Sequence, residues 1–226
     1  AFERCRTCGN LSMNERVDAY QDRLHFAATE RNRDAIAAVL SKALPSDGRV
    51  LELASGSGEH AVAFQKLFPK LIWHTSDIDP MHLRSINAWI HFEQLEQTMP
   101  PPLKIDVNAR PWQLPDGLTD HLCGVICINM IHISPWNCCE SLVQEAAQLL
   151  GNSAPLILYG PYKRNGLHTS ESNARFDDYL RTQDPSWGVR ELEDVERLGV
   201  SSGLLLNEVI EMPANNLSLI FTPRQS

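Results

Sequence analysis

No apolar stretch in the 226 residues approaches the ~20 consecutive positions that a membrane-spanning helix needs, and the first residues lack the apolar core of a signal peptide. Positive charge is scarce. The 20 Lys and Arg face 28 Asp and Glu, a formal charge of −8, which argues against a nucleic-acid groove or an anionic membrane surface as the main partner. Cysteine is present without a metal-site pattern: Cys5-x-x-Cys8 is half of a zinc site, and no second C-x-x-C or H-x-x-x-H completes it. Cys123 and Cys127 lie in an apolar run, and with Cys138 and Cys139 they read as reduced structural thiols. Internal repeats and low-complexity segments are also missing. These absences leave a soluble, cytoplasmic protein as the expectation. Met13 is a candidate start, so residues 1–12 read as a tail and residues 13–226 as a single domain.

Strands and helices alternate along the chain. The stretch VLELASGSGEHAVAF (50–64) passes from an apolar run through Gly56 and Gly58 to Ala61, Val62, Phe64, Leu67 and Phe68 at helical spacing. It reads as strand, glycine-rich turn, helix. A helix-rich segment precedes it from about Asn14 to Leu44. Further strands are expected at 71–73, 103–105, 122–130 and 156–159, with helices over 81–96 and 135–150. A hairpin of 204–211 and 217–221 is expected around Pro213-Ala214-Asn215-Asn216, and Lys163 to Asn173 reads as a long polar loop. Apolar strands separated by helices argue a doubly wound, Rossmann-like α/β sheet.

Glycines are needed where the backbone turns sharply or a ligand must approach the main chain, and a helix start supplies free N–H groups there. Gly56-Ser57-Gly58-Glu59-His60-Ala61 formally fits a dinucleotide pattern, with Asp77 about 20 residues on. The acids oppose that reading. Glu52 before the loop and Glu59 in the first helical turn would repel a pyrophosphate, whereas S-adenosylmethionine (SAM) has no phosphate and carries a sulfonium and an ammonium. In such a sheet ligands lie outside the carboxyl ends of the strands, and Glu52, Asp77 and Asp106 fall there in order. An acid at Asp77 suits both ribose hydroxyls, Asp106 suits the adenine amine, and the Val107 backbone suits a ring nitrogen; Ile78 joins them as a neighbour of Asp77.

Glu52-x-Ala54-x-Gly56-x-Gly58, Asp77 and Asp106 resemble the motif series of class I SAM-dependent methyltransferases, with Ala54 in place of the usual first glycine, where an extra methyl should be tolerable. ERNRDAI, LELASGSGEHA, SDIDP, INMIHISPW, YGPY, FDDYLRTQDPSWGVR and MPANNLSLIF are similar, more narrowly, to a methyltransferase-like family long labelled a domain of unknown function. The resemblance implies a seven-stranded sheet with an antiparallel last strand and SAM binding at Glu52, Gly56, Gly58, Asp77 and Asp106. It also implies a lid at Glu30-Arg31-Asn32, with Arg31 a candidate for the SAM carboxylate.

Methyl transfer needs an aligned nucleophile, so positioning supplies much of the rate and a base adds to it where a proton must leave. His132 is the first candidate base because imidazole titrates near neutrality; a ring that only bonds the backbone is the competing reading. Tyr162 is a candidate to bond a substrate heteroatom or to pack, Asn129 lies towards the methionine end of SAM, and His168 and Asn165 are weaker substrate candidates. Asn215 and Asn216 read as turn formers. The expected function is SAM-dependent transfer to a small-molecule acceptor, the alternative a non-catalytic SAM-binding partner or regulatory protein. A nucleic-acid amino-methyltransferase usually carries N/D-P-P-Y/F/W after the fourth strand, where this chain has Asn129-Met130-Ile131-His132.

Overall fold

The computed structural model describes residues 21–151 and 153–224. The expected tail at 1–12, Cys5, Cys8 and the expected helix start at Asn14 lie outside them. From the amino-terminal side, α1 (Ala27–Ala43) leads to β1 (Gly48–Leu53), α2 (Glu59–Leu67), β2 (Leu71–Asp77), α3 (Pro80–Phe92) and β3 (Leu103–Lys104). Then come β4 (Leu122–Ile128), α4 (Trp136–Leu149), β5 (Leu156–Arg164), β6 (Leu167–His168) and α5 (Glu171–Gln183). The chain closes with β7 (Arg190–Glu191), α6 (Leu192–Ser201), β8 (Leu204–Met212) and β9 (Asn216–Pro223).

The main sheet runs β3-β2-β1-β4-β5-β9-β8, which accounts for the seven expected strands. β9 is antiparallel to both β5 and β8, so it alone on that path opposes the other strands. The two-residue strands β6 and β7 pair with the far end of β5. The sheet is covered on both faces, which is why its central strands read as continuous apolar runs rather than alternating ones. One face packs Val50, Trp73, Ile126 and Tyr159 against Ile36, Leu40, Phe64 and Ile86 from α1, α2 and α3. The other packs Leu51, Val125 and Phe221 against Leu142, Val143 and Val195 from α4 and α6. Each face buries side chains of opposite parity from the same strands.

Two expectations change. Leu67, assigned by spacing to the buried helical face, is 59% exposed because α2 ends there. The expected polar loop from Lys163 is ordered: β5 continues to Arg164, a tight turn with Asn165 and Gly166 at positive φ reverses it into β6, and Ser170 caps α5 by accepting from the Asn173 amide. Lys163 and Arg164 extend the strand because β6 and β7 supply pairing partners that no local pattern announces.

Candidate functional site

The parallel strands β1, β2, β3, β4 and β5 end along one edge, and the residues following them converge there. After β1 the chain turns through Ala54 (φ +53), Gly56 (φ +58) and Gly58 (φ +89) into α2. Gly58 is required by packing as well as by φ, since a Cβ there would lie 2.9 Å from the Ile86 Cα of α3. A Cβ on Gly56 would sit 3.2 Å from the Phe26 ring, which therefore covers the loop. Ala54 is a correction to the idea of an easily tolerated methyl, because an L-residue at that φ is disfavoured.

Asp77 closes β2 beside this loop. Its Oδ2 accepts from the Gly56 amide at 2.9 Å, its Oδ1 accepts from the Asp79 amide at 3.0 Å, and His82 Nδ1 lies 3.1 Å from Oδ1. The expected ribose ligand is thus also the brace of the glycine loop. Ile78 next to it is 55% exposed, an apolar surface at the strand end. Asp106 is exposed, and its Oδ1 accepts from the Asn108 amide at 2.9 Å. The Val107 carbonyl accepts from Trp112 Nε1 at 3.1 Å, which fixes the backbone after β3. Asn129 follows β4 at φ +65, a conformation asparagine tolerates, and its amide donates to the Tyr159 carbonyl.

Four candidate residues take places other than those expected. Glu52 is 2% exposed, and its Oε2 accepts from Trp73 Nε1 at 2.6 Å inside the sheet–helix layer, away from solvent. Burial pushes its carboxyl up to about 7, against the lowering effect of that bond. Asn32 is buried, its Oδ1 accepting from His60 Nε2 at 2.7 Å, and the Tyr159 hydroxyl accepts from Asn216 Nδ2 at 3.0 Å. Asn216 therefore does more than form a turn. Arg31, one residue before, is exposed.

His132 and Tyr162 are both fully buried, their rings edge to face at 4.9 Å. His132 Nδ1 accepts from the Arg190 amide at 3.2 Å, and a Cβ on Gly160 would lie 2.5 Å from Nε2, so neither ring nitrogen reaches an acceptor in solution. Burial, helped by the Arg190 charge, holds the imidazole down at about 3. Burial likewise raises the Tyr162 phenol well above its ordinary value. In this structure the two residues are packing groups under the site. His168 and Asn165 occupy the β5–β6 hairpin, His168 half-buried and Asn165 exposed.

The sequence reading missed the residues that organise the edge. Arg190 donates from Nε to the Ile131 carbonyl at 2.8 Å and from Nη2 to the Ser134 carbonyl at 2.5 Å, clamping the segment after β4. Glu59 accepts from the Phe26 amide at 2.7 Å and from Ser57 Oγ at 2.9 Å, with His25 Nδ1 at 3.1 Å. The acid taken as a repellent of phosphate is thus the clip that holds residues 25 and 26 over the glycine loop. The stretch ending PSWGVR contained Arg190, but no periodicity distinguished it.

A family model described as "Protein of unknown function (DUF938)" matches residues 23–223. Among solved structures, the mitomycin 7-O-methyltransferase MmcR superposes with a TM-score of 0.73 at 14% identity, over 87% of this chain and 54% of that one. An O-methyltransferase family protein from Burkholderia thailandensis gives 0.71 at 15%, over 94% and 60%. The O-methyltransferase NcsB1, in complex with SAM and 2-hydroxy-5-methyl naphthoic acid, gives 0.70 at 15%, over 87% and 54%. The chain spans about half the length of these proteins, and at such identities the likeness establishes the Rossmann-like methyltransferase fold.

Proposed function

We propose that this chain, which belongs to the family described as "Protein of unknown function (DUF938)", is a SAM-dependent methyltransferase acting on a small-molecule acceptor. The observation that carries the reading is the edge where the glycine loop of Gly56 and Gly58, the Asp77 carboxylate and the exposed Asp106 carboxylate stand at successive strand ends. The donor set fits the group. The side chains bracing the loop are the carboxylates of Asp77 and Glu59, an environment suited to a cationic ligand and hostile to a pyrophosphate. The structural neighbours add support: NcsB1 was solved with SAM and a naphthoic acid, and CalO1 with S-adenosylhomocysteine (SAH).

SAM, when bound, supplies an electrophilic methyl on a sulfonium. Gly56 would bring the main chain beside it under the Phe26 ring, Gly58 lets α2 start against α3, Asp77 would accept from the ribose, and Ile78 would offer an apolar face to adenine. Asp106 and the Val107 backbone would read the adenine edge. Ala54 and Asn129 would line the loop and strand ends on the methionine side, and the exposed Arg31 would meet the carboxylate. Glu52, Asn32, His132 and Tyr162 act from behind, holding these segments in place. With the imidazole and phenol sealed in, the chain's contribution to transfer is orientation of the acceptor and exclusion of water, which carries much of the rate for a displacement at carbon. The burial of His132 equally suits a SAM-binding protein that transfers no methyl group, and product formation separates the two.

Thermal unfolding with ligands tests the cofactor. SAM and SAH at 100-fold excess over Kd should each stabilise the protein by about 2.7 kcal/mol, and NAD should not. Stabilisation by NAD with none by SAM overturns the assignment. Methyl-labelled SAM incubated with the protein and cell extract, read by mass spectrometry, then identifies the acceptor.

A further inference from the structure

Asp177 lies in the middle of α5, buried, with Oδ1 accepting from the Val189 amide at 2.7 Å. Its Oδ2 is surrounded by three basic side chains: Lys163 Nζ at 3.2 Å, Arg181 Nε at 3.3 Å and His168 Nε2 at 3.4 Å. Burial works to raise the Asp177 carboxyl, but the Val189 amide, Arg181 and Lys163 outweigh it and hold it below the usual range. One carboxylate cannot neutralise that set. The group carries +1 with the His168 ring neutral and +2 with it protonated, in a chain whose formal charge is −8.

The cations stay within reach of solvent, the side chains of Lys163, His168 and Arg181 being 20%, 25% and 48% exposed. Lys163 and Arg181 have donors beyond the one spent on Asp177, and Nδ1 of His168, which donates when the ring is protonated, is buried with no partner among the described residues. Pinning α5 would take one cation; exposed ion pairs add little stability, so two more are not explained by it.

Their place in the fold points to the acceptor. Tyr159, Pro161 and Lys163 share one face of β5 by the two-residue period, and Tyr159 lies in the apolar cluster of Ile36 and Leu40 from α1. Lys163 therefore lies near the carboxyl end of β5 on the α1 side of the sheet, towards the edge where ligands enter such folds. One helical turn before Asp177, Asn173 Nδ2 donates to the Asn215 carbonyl at 2.9 Å, which ties α5 across the β8–β9 turn.

We propose that Lys163, His168 and Arg181, fixed by Asp177, form an oxyanion subsite that holds a carboxylate or phosphate of the methyl acceptor. The proposal rests on the methyl-transfer reading above and narrows its substrate class to anionic small molecules.

Calorimetry on the full chain saturated with SAH tests it, with benzoate and phenyl phosphate as probes and benzamide as the neutral control. At least one anion should bind and benzamide should not; the tighter anion tells carboxylate from phosphate. Lys163→Met and Arg181→Gln should each weaken the anion about three- to tenfold, the range of a partly exposed ion pair. SAM affinity, measured separately, should stay within about twofold. The exposed Arg181 position keeps the test open should Lys163→Met not fold. The proposal is overturned if neither anion binds better than benzamide, or if a folded variant binds it as tightly as wild type. Failure of SAM to bind would instead remove the methyl-transfer reading, and titration of the same anions without SAH would still decide the subsite.

Discussion

Glu52 is a buried acid whose only long-range side-chain hydrogen bond among the described residues is from an indole N–H, so its charge is costly. Its folded pKa, about 7, lies above the ordinary 4.5. The folded state therefore holds the proton more tightly, and the stability associated with it is present below about 4.5 and lost as pH rises through 7. Glu52→Gln keeps the acceptor for Trp73 and removes the charge. It should be more stable than wild type by about 1–3 kcal/mol at pH 8, the gain shrinking as pH falls and vanishing below about 4.5 in parallel urea titrations. A less stable variant at pH 8 would mean that the ionised carboxylate has a partner worth more than its burial costs. His132 behaves in the opposite sense. His132→Ala should cost about 2–4 kcal/mol, from the cavity beside Tyr162 and the lost acceptor for the Arg190 amide, with SAM affinity within a few-fold of wild type by calorimetry. Because its folded pKa is about 3, no limb near pH 6.5 in a wild-type pH–rate profile should vanish in the variant; such a loss would restore it as a base.

The turn between β1 and α2 is the element on which the site depends, and two neighbouring positions in it should respond in opposite directions. Ala54 at φ +53 carries strain of about 1–2 kcal/mol, while glycine costs about 0.5–1 kcal/mol in unfolded-state entropy. Ala54→Gly should leave the protein as stable or raise it by up to about 1 kcal/mol. Gly58→Ala combines φ +89 with a methyl 2.9 Å from the backbone of α3 and should lose about 2–3 kcal/mol. Denaturant midpoints of both variants check the pair; equal effects would mean that the loop yields where the structure holds it rigid. At the other end of the site, α5 was the least legible element. Its start was hidden in a polar stretch because its anchors are tertiary: Asn173 to the β8–β9 turn and Asp177 to Val189, Lys163 and His168.

Across the whole molecule, burial depresses three imidazoles, His60 and His74 to about 4 and His132 to about 3. Each is lowered, so the unfolded chain binds more protons between about pH 6.5 and 4, and stability falls as pH falls through that window. Glu52 alone pulls the other way over about 4.5 to 7. Three groups against one predict a protein that loses stability on mild acidification, with unfolding midpoints dropping from pH 7 to pH 5; a midpoint unchanged or higher at pH 5 would show that these histidines are solvated. The same molecule places α1, α2 and α3 on one face and α4 and α6 on the other, so the site edge joins two separately packed cores. Arg190, reaching from β7 to the Ile131 and Ser134 carbonyls, fastens the segment after β4 at that edge.

Strand–glycine–helix order, the two-faced sheet, the antiparallel hairpin and the strand-end positions of Asp77 and Asp106 were legible in the chain itself. They follow from local rules: apolar runs covered on both sides, glycines at positive φ, acids at the ends of strands. Which way a side chain turns at a strand end is not a local property. Glu52 and His132 stand one residue or a short turn from the edge, yet Trp73 draws one into the sheet–helix layer, and Arg190 and Gly160 enclose the other. Lys163, His168 and Arg181, spread over 19 residues of sequence, become one basic cluster only because β5, β6 and α5 fold back on Asp177. Charge and burial there are set by partners distant along the chain, and only the tertiary structure supplies them.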